Sequence, residues 1–165
     1  MEKVGICCFT GHRSIAPEYM IKLPALIEET LDTLVCRGVR VFRAGGAVGF
    51  DTLCALKVLE KKKTSPEIKL ELCLPCRDQT RGWNESYRKI YDYILERADS
   101  VRYAHMKYTP TCMHDRNRML VDGSDFCVAF CTSSSGGTAY TCSYALKRGT
   151  ELINLYDRFG MTAGR

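Results

Sequence analysis

The stretch that decides the fold is Gly38-Val39-Arg40-Val41-Phe42-Arg43-Ala44-Gly45-Gly46-Ala47-Val48-Gly49-Phe50-Asp51. An apolar, strand-like run enters a glycine-rich turn and leaves it as a helix-like run. Glycine lets a backbone approach a ligand closely and adopt conformations that other residues resist. The helix start beyond it offers unpaired N–H groups and a partial positive charge. Strand, glycine turn and helix together make an anion site, most often for phosphate. Ser133-Ser134-Ser135-Gly136-Gly137-Thr138 repeats the arrangement after the apolar run 126–130. Two such turns in one small chain suggest one ligand held from two sides.

Working outward, apolar runs at 4–9, 38–42, 68–74, 100–103, 126–130 and 151–155 read as strands, several of them continuous enough to be buried on both faces. Between them lie helical patterns. Leu26, Ile27, Leu31, Leu34 and Val35 precede Gly38, with Pro24 in the first turn or at a kink after a short turn. A helix over 50–62 carries Leu53, Leu56 and Leu59 as its core stripe. Trp83, Tyr87, Ile90 and Ile94 share one face of a third helix. Helices over 112–121 and 138–148 follow. Strands alternating with helices predict a three-layer α/β/α domain around a doubly wound, mostly parallel sheet. A single domain over 1–157 is expected, with a frayed tail at 158–165. Loops 10–16, 43–49, 75–82, 104–111 and 131–137 then leave the carboxyl ends of strands, the edge where open α/β sheets bind ligands.

Composition narrows the class. The chain has 165 residues with 45% hydrophobic and 26% charged, enough for one domain with a core. No apolar run reaches membrane-spanning length, and Met1-Glu2-Lys3-Val4 carries no secretory pattern. A cytoplasmic protein is expected. The net charge of +5 is mild. Lys61-Lys62-Lys63 closes a helix, where cations suit the dipole. No RNP, zinc-finger or helix-turn-helix signature is present. These features count against a nucleic-acid partner, and a homodimer is left open. Of ten cysteines, Cys7, Cys8, Cys127 and Cys131 sit in apolar runs and Cys36, Cys54 and Cys142 in helices, as small hydrophobes of a reducing compartment. Cys73-Leu74-Pro75-Cys76 ends a strand rather than opening a helix, which disfavours a redox role. Cys112 and His114 make a poor second pair for zinc. No metal and no cofactor are expected.

The candidate ligand-binding residues collect on the predicted sheet edge. Gly11-His12-Arg13 follows the first strand, and Arg13 can pair with phosphate through its planar fork; otherwise it is a surface arginine. Arg43 and Arg116 would add countercharge, with Asn117 beside the latter. Gly45, Gly46 and Gly49 lack both the G-x-G-x-x-G spacing and the P-loop lysine. Asp51 reads equally as a helix N-terminal acid and as a ribose ligand. Trp83 belongs to the helix core, or stacks on a base. Ser135, Gly136, Gly137 and Thr138 would cradle phosphate.

Cys8-Phe9-Thr10-Gly11-His12-Arg13, Gly45-Gly46-Ala47-Val48-Gly49-Phe50-Asp51, Trp83, Arg116-Asn117 and Ser135-Gly136-Gly137-Thr138, taken together, resemble the YpsA-like branch of the SLOG superfamily. That superfamily also holds the DprA proteins and the Lonely Guy phosphoribohydrolases. The resemblance implies a Rossmann-like fold that binds a nucleotide or a derivative such as a nucleotide-sugar or an ADP-ribose-like compound. Met113-His114-Asp115-Arg116-Asn117-Arg118-Met119-Leu120 is similar to the Lonely Guy M-x-x-R-K-x-x-M pattern, which marks Arg116 as a functional arginine. Gly136-Gly137-Thr138-Ala139-Tyr140-Thr141 departs from P-G-G-x-G-T-x-x-E and lacks its glutamate. The resemblance therefore implies binding first. N-glycosidic hydrolysis, with Asp51 and Arg116 as catalytic candidates, comes second, and single-stranded DNA binding third.

Overall fold

The computed structural model describes residues 3–160. Six strands, β1 (Gly5–Gly11), β2 (Val39–Ala44), β3 (Lys69–Leu74), β4 (Ser100–Tyr103), β5 (Phe126–Phe130) and β6 (Glu151–Asn154), form one sheet. Its order is β4-β3-β2-β1-β5-β6, and every pairing is parallel. The chain builds outward from β1 to β4, then returns to lay β5 on the other side of β1. The reversal of strand order falls between β1 and β5, the place where a doubly wound sheet opens a crevice at its carboxyl edge.

Strand alternation sorts the two faces. Cys7, Phe9, Phe42, Leu70, Leu72, Val128 and Phe130 face the larger core. The short α1 (Pro17–Met20), α2 (Leu23–Cys36), α3 (Phe50–Lys62) and α4 (Glu85–Arg97) cover it, with a 3-10 turn over Leu155–Arg158. Pro24 lies in the first turn of α2, where its missing N–H costs nothing. Cys8, Cys73 and Cys127 face the other way, under α5 (Cys112–Val121) and α6 (Gly137–Lys147). That second face is shallow and holds charge as well as sulfur: Arg43, Glu71 and Arg102 meet there, at 3.5 Å and 2.6 Å from the two Glu71 oxygens.

Two helix faces differ from expectation. In α3 the deepest residues are Phe50, Cys54, Ala55 and Val58, and Leu53, Leu56 and Leu59 are only partly buried at the flanks. The small side chains let the helix sit close on the sheet, so the leucines meet neighbouring helices instead. In α4 the core face is Tyr91, Ile94 and Leu95, continued by Ala98, while Tyr87 and Ile90 are 50% and 38% exposed. Asn84 caps this helix, accepting from Tyr87 N at 2.9 Å, so Trp83 precedes the helix rather than belonging to its stripe. The expected frayed tail falls partly on described residues. Phe159 packs edge-on against Tyr19 and Phe130, and 161–165 lie outside the described residues.

Candidate functional site

A cavity of about 300 Å³ opens at the carboxyl ends of β1 and β5, within the range that small-molecule sites occupy. Its floor is Thr10, Gly11 and His12. Asp51 at the start of α3 forms one wall, Met113, Arg116 and Asn117 of α5 a second, and Gly137 and Thr138 at the start of α6 a third, with Arg13 on the rim.

The first glycine turn forms one side of this cavity in a way the sequence reading did not anticipate. Its glycines are used against protein. A Cβ on Gly49 would come within 2.4 Å of the Arg13 carbonyl oxygen and 2.6 Å of that of His12. Phe50 N donates to the same His12 carbonyl at 3.1 Å. A Cβ on Gly11 would lie 2.4 Å from the Phe50 ring, and one on Gly46 2.4 Å from the Leu74 side chain. The turn is thus clamped onto the exit of β1, and only Ala47 and Asp51 of it reach the cavity. Gly45, Gly46 and Gly49 do not line it.

Gly45 makes room for a buried charge. A Cβ there would fall 2.6 Å from Arg116 Nη1 and 2.8 Å from Asp51 Oδ2. Arg116 is 5% exposed, as is Asp51. Its guanidinium donates to Gly45 O, to Asn117 Oδ1 at 2.9 Å and toward the Met113 sulfur at 3.8 Å. Asp51 accepts from Ala47 N at 3.4 Å. Burial pushes the Asp51 carboxyl up to about 6, against the opposing pull of the Arg116 charge and the Ala47 amide. Burial also lowers Arg116. Asp51 is therefore a carboxyl poised near neutrality at a cavity wall, where groups suited to acid–base work are found.

The second glycine turn is open. Gly136 has φ +99° as the N-cap of α6, and a Cβ on it would meet nothing within 4 Å. The α6 N-terminal residues Gly137 and Thr138 line the cavity and bring the helix's positive end to it. Ser135 is exposed and outside the lining; its N–H donates to Ser133 Oγ at 3.2 Å. His12 Nε2 accepts from Thr132 N at 2.9 Å, tying the exit of β1 to that of β5. Arg13 has no carboxylate within ion-pair distance among the described residues, only the Met113 sulfur at 3.9 Å.

Arg43 lies elsewhere, a correction to the expectation of crevice countercharge. It pairs with Cys8 in register, well below the carboxyl edge. Its guanidinium donates to Asp122 O at 2.7 Å and Ser124 Oγ at 3.4 Å and faces Glu71, holding the turn after α5 to the sheet. Trp83 lines a separate neighbouring cavity. Met113, at the wall between the two cavities, was not singled out as a site residue; its spacing one turn before Arg116 is the signal that identifies it. The two thiols of the C-x-x-C part company. Cys73 takes a contact from Arg102 at 3.7 Å, whereas Cys76 stands beside Cys112, and burial pushes its thiol up to about 12. Among the described residues no three His, Cys, Asp or Glu side chains gather as a metal site, and no helix is long and apolar enough to cross a membrane.

A parallel sheet with its crevice at the switch point defines a Rossmann-like domain. Two solved structures share this fold: DNA processing protein A (DprA) from Streptococcus pneumoniae, with TM-score 0.68 and 15% identity, and DprA from Helicobacter pylori, described for its single-stranded DNA binding mode, with TM-score 0.66 and 19% identity. Each alignment covers 90% of this chain but only 49% and 63% of those proteins. The chain itself belongs to the YpsA family, the YspA SLOG family, whose model matches residues 7–157. It is 27% identical over 140 residues to the UPF0398 proteins of Bacillus thuringiensis (strain Al Hakam) and Bacillus cereus (strain Q1), covering 84% of this chain and 72% of each relative.

Proposed function

We propose that this chain is a cytoplasmic protein that binds a nucleotide or nucleotide derivative in the β1/β5 crevice. The observation that carries the reading is the meeting of the α6 N-terminus with Arg13 across one cavity of about 300 Å³. Backbone N–H groups at a helix start and an arginine with no carboxylate partner among the described residues suit a phosphate. Ten free cysteines, most of them buried, accord with a reducing compartment. The test is calorimetry and thermal unfolding with AMP, ADP-ribose, NAD and ribose 5-phosphate. A ligand at 100 times its Kd adds about 2.7 kcal/mol of stability. No shift with any of them at millimolar concentration refutes the reading. A single-stranded oligonucleotide belongs in the same panel, because the fold is shared with DprA proteins. Tight, salt-dependent binding of the oligonucleotide alone favours the nucleic-acid reading.

A second reading, cleavage of an N-glycosidic bond, is supported by Asp51. A carboxyl raised to about 6 at the cavity wall is suited to protonate a leaving base near neutral pH. Release of free base from AMP that Asp51→Asn abolishes supports it; turnover unchanged in that variant removes Asp51 from the chemistry.

A further inference from the structure

Arg116 lines the crevice, yet its donors are engaged inside the protein. The side chain is 5% exposed. Nη1 donates to Gly45 O, Nη2 points to the Met113 sulfur at 3.8 Å, and Nε donates to Asn117 Oδ1 at 2.9 Å. Its charge is met by that of Asp51, which shares with it the space beside Gly45. No nitrogen of this guanidinium is left without a protein group, so a direct bond to a ligand would have to displace one of them.

What Arg116 does fix is the neighbouring amide. A guanidinium donates and never accepts, so the Asn117 atom that faces Nε is the oxygen, and the far end of the amide is the NH2 donor. That Nδ2 stands 3.9 Å from where a Cβ on Gly137 would lie, at the first residue of α6. It has no acceptor among the described residues. Asn117, Gly137 and Thr138 line the same cavity. The amides that open α6 precede the first bond of its ladder, Tyr140 N to Gly136 O at 2.9 Å, and so are also free to donate. A side-chain donor and a row of main-chain donors thus meet at one spot, the arrangement an oxyanion of the phosphate class requires.

We infer that Asn117 donates its side-chain N–H to the bound phosphate at the start of α6, and that Arg116 is the positioning residue that aims it rather than a countercharge. This rests on the phosphate reading of the crevice and adds which side chain completes the cradle. The shape of the group at 116 then matters more than its charge. A lysine there keeps the charge beside Asp51, but its one nitrogen cannot hold both Gly45 O and Asn117 Oδ1.

The test combines NMR of side-chain amides with calorimetry, using inorganic phosphate and AMP. The Asn117 amide pair, assigned by its absence in Asn117→Ala, is expected to shift saturably with phosphate. Asn117→Ala should weaken both ligands roughly tenfold, the loss of one hydrogen bond to a charged group. Arg116→Lys should weaken them as much, abolish the shift of the Asn117 amide, and add no further loss in the double variant. Arg116→Lys that binds as the parent does restores the countercharge role and overturns the inference. So do losses that add in the double variant, which would put Arg116 on the ligand itself. If Asn117 served only to hold Arg116, Asn117→Ala would lower the unfolding temperature while the parent's amide stayed unmoved by phosphate, and that result overturns the inference as well. Where Arg116→Lys does not fold, the amide shift and Asn117→Ala decide the matter. Binding of AMP with the Asn117 amide unmoved rejects this inference and leaves the nucleotide reading standing. Failure of the parent to bind either ligand rejects both.

Discussion

Alanine at Gly49 and at Gly136 should have very different consequences, although the sequence presents the two glycines alike. Both have positive φ, +86° and +99°. At Gly49 the new Cβ would also press on two backbone carbonyl oxygens, at 2.4 Å and 2.6 Å. These belong to the exit of β1, whose His12 carbonyl already accepts from Phe50 N, so they cannot move without breaking the join between α3 and the sheet. Backbone strain of about 1–3 kcal/mol adds to overpacking of about 1–3 kcal/mol, giving roughly 4 kcal/mol for Gly49→Ala. At Gly136 nothing lies within 4 Å, and strain alone leaves about 1.5 kcal/mol. For a domain of this size each kcal/mol moves the unfolding midpoint by about 2–4 °C. Calorimetry should then show a loss of about 8–16 °C for Gly49→Ala and about 3–6 °C for Gly136→Ala. Equal losses, or a smaller loss at Gly49, would refute the assignment of the first turn to internal clamping.

Arg13 and Arg43 should divide function from stability. Arg13→Ala is expected to weaken phosphate-bearing ligands at least tenfold with little change in unfolding. Arg43→Met should cost about 2 kcal/mol by stranding the Asp122 carbonyl, Glu71 keeping its pair with Arg102, and leave ligand affinity intact; the reverse pattern would reinstate Arg43 at the crevice. Asp51 should impose a pH dependence. Its folded value, about 6, lies above the ordinary 3.8, so its contribution is fully present below pH 4 and is lost as pH rises through 6. Denaturant titrations of Asp51→Asn and the parent should therefore diverge by about 3 kcal/mol in favour of the variant between pH 4 and pH 7. Parallel curves would show that Asp51 is not raised.

Strand and helix placement was legible because each glycine turn punctuates an apolar run, and the helix at 50–62 matches α3 residue for residue. Which face a side chain takes was less so. Arg43 lies next to a ligand-like turn in sequence, but strand alternation turns it beneath α5, with Glu71 in register beside it. A stripe of Leu53, Leu56 and Leu59 looks like a core because leucine is large, yet the close approach of α3 to the sheet needs Cys54 and Ala55. Trp83 and Tyr87 fit a helical spacing that the Asn84 cap interrupts. Arg116 and Asp51 were named from motif and position, but their closeness across Gly45 depends on how α5 is placed against α3, which no local pattern encodes.

The clamp of the first glycine turn onto β1 gives the crevice one fixed jaw. Its surface is main chain and a buried carboxyl, seated before any ligand arrives, so little ordering is left to oppose binding on that side. The opposite jaw is made of Met113 and Asn117 of α5 and of Gly137 and Thr138 at the start of α6, beside a glycine at 136 where a Cβ would meet nothing within 4 Å. Substitutions in the second jaw can thus reshape the crevice without disturbing the join between α3 and the sheet, which those in the first cannot.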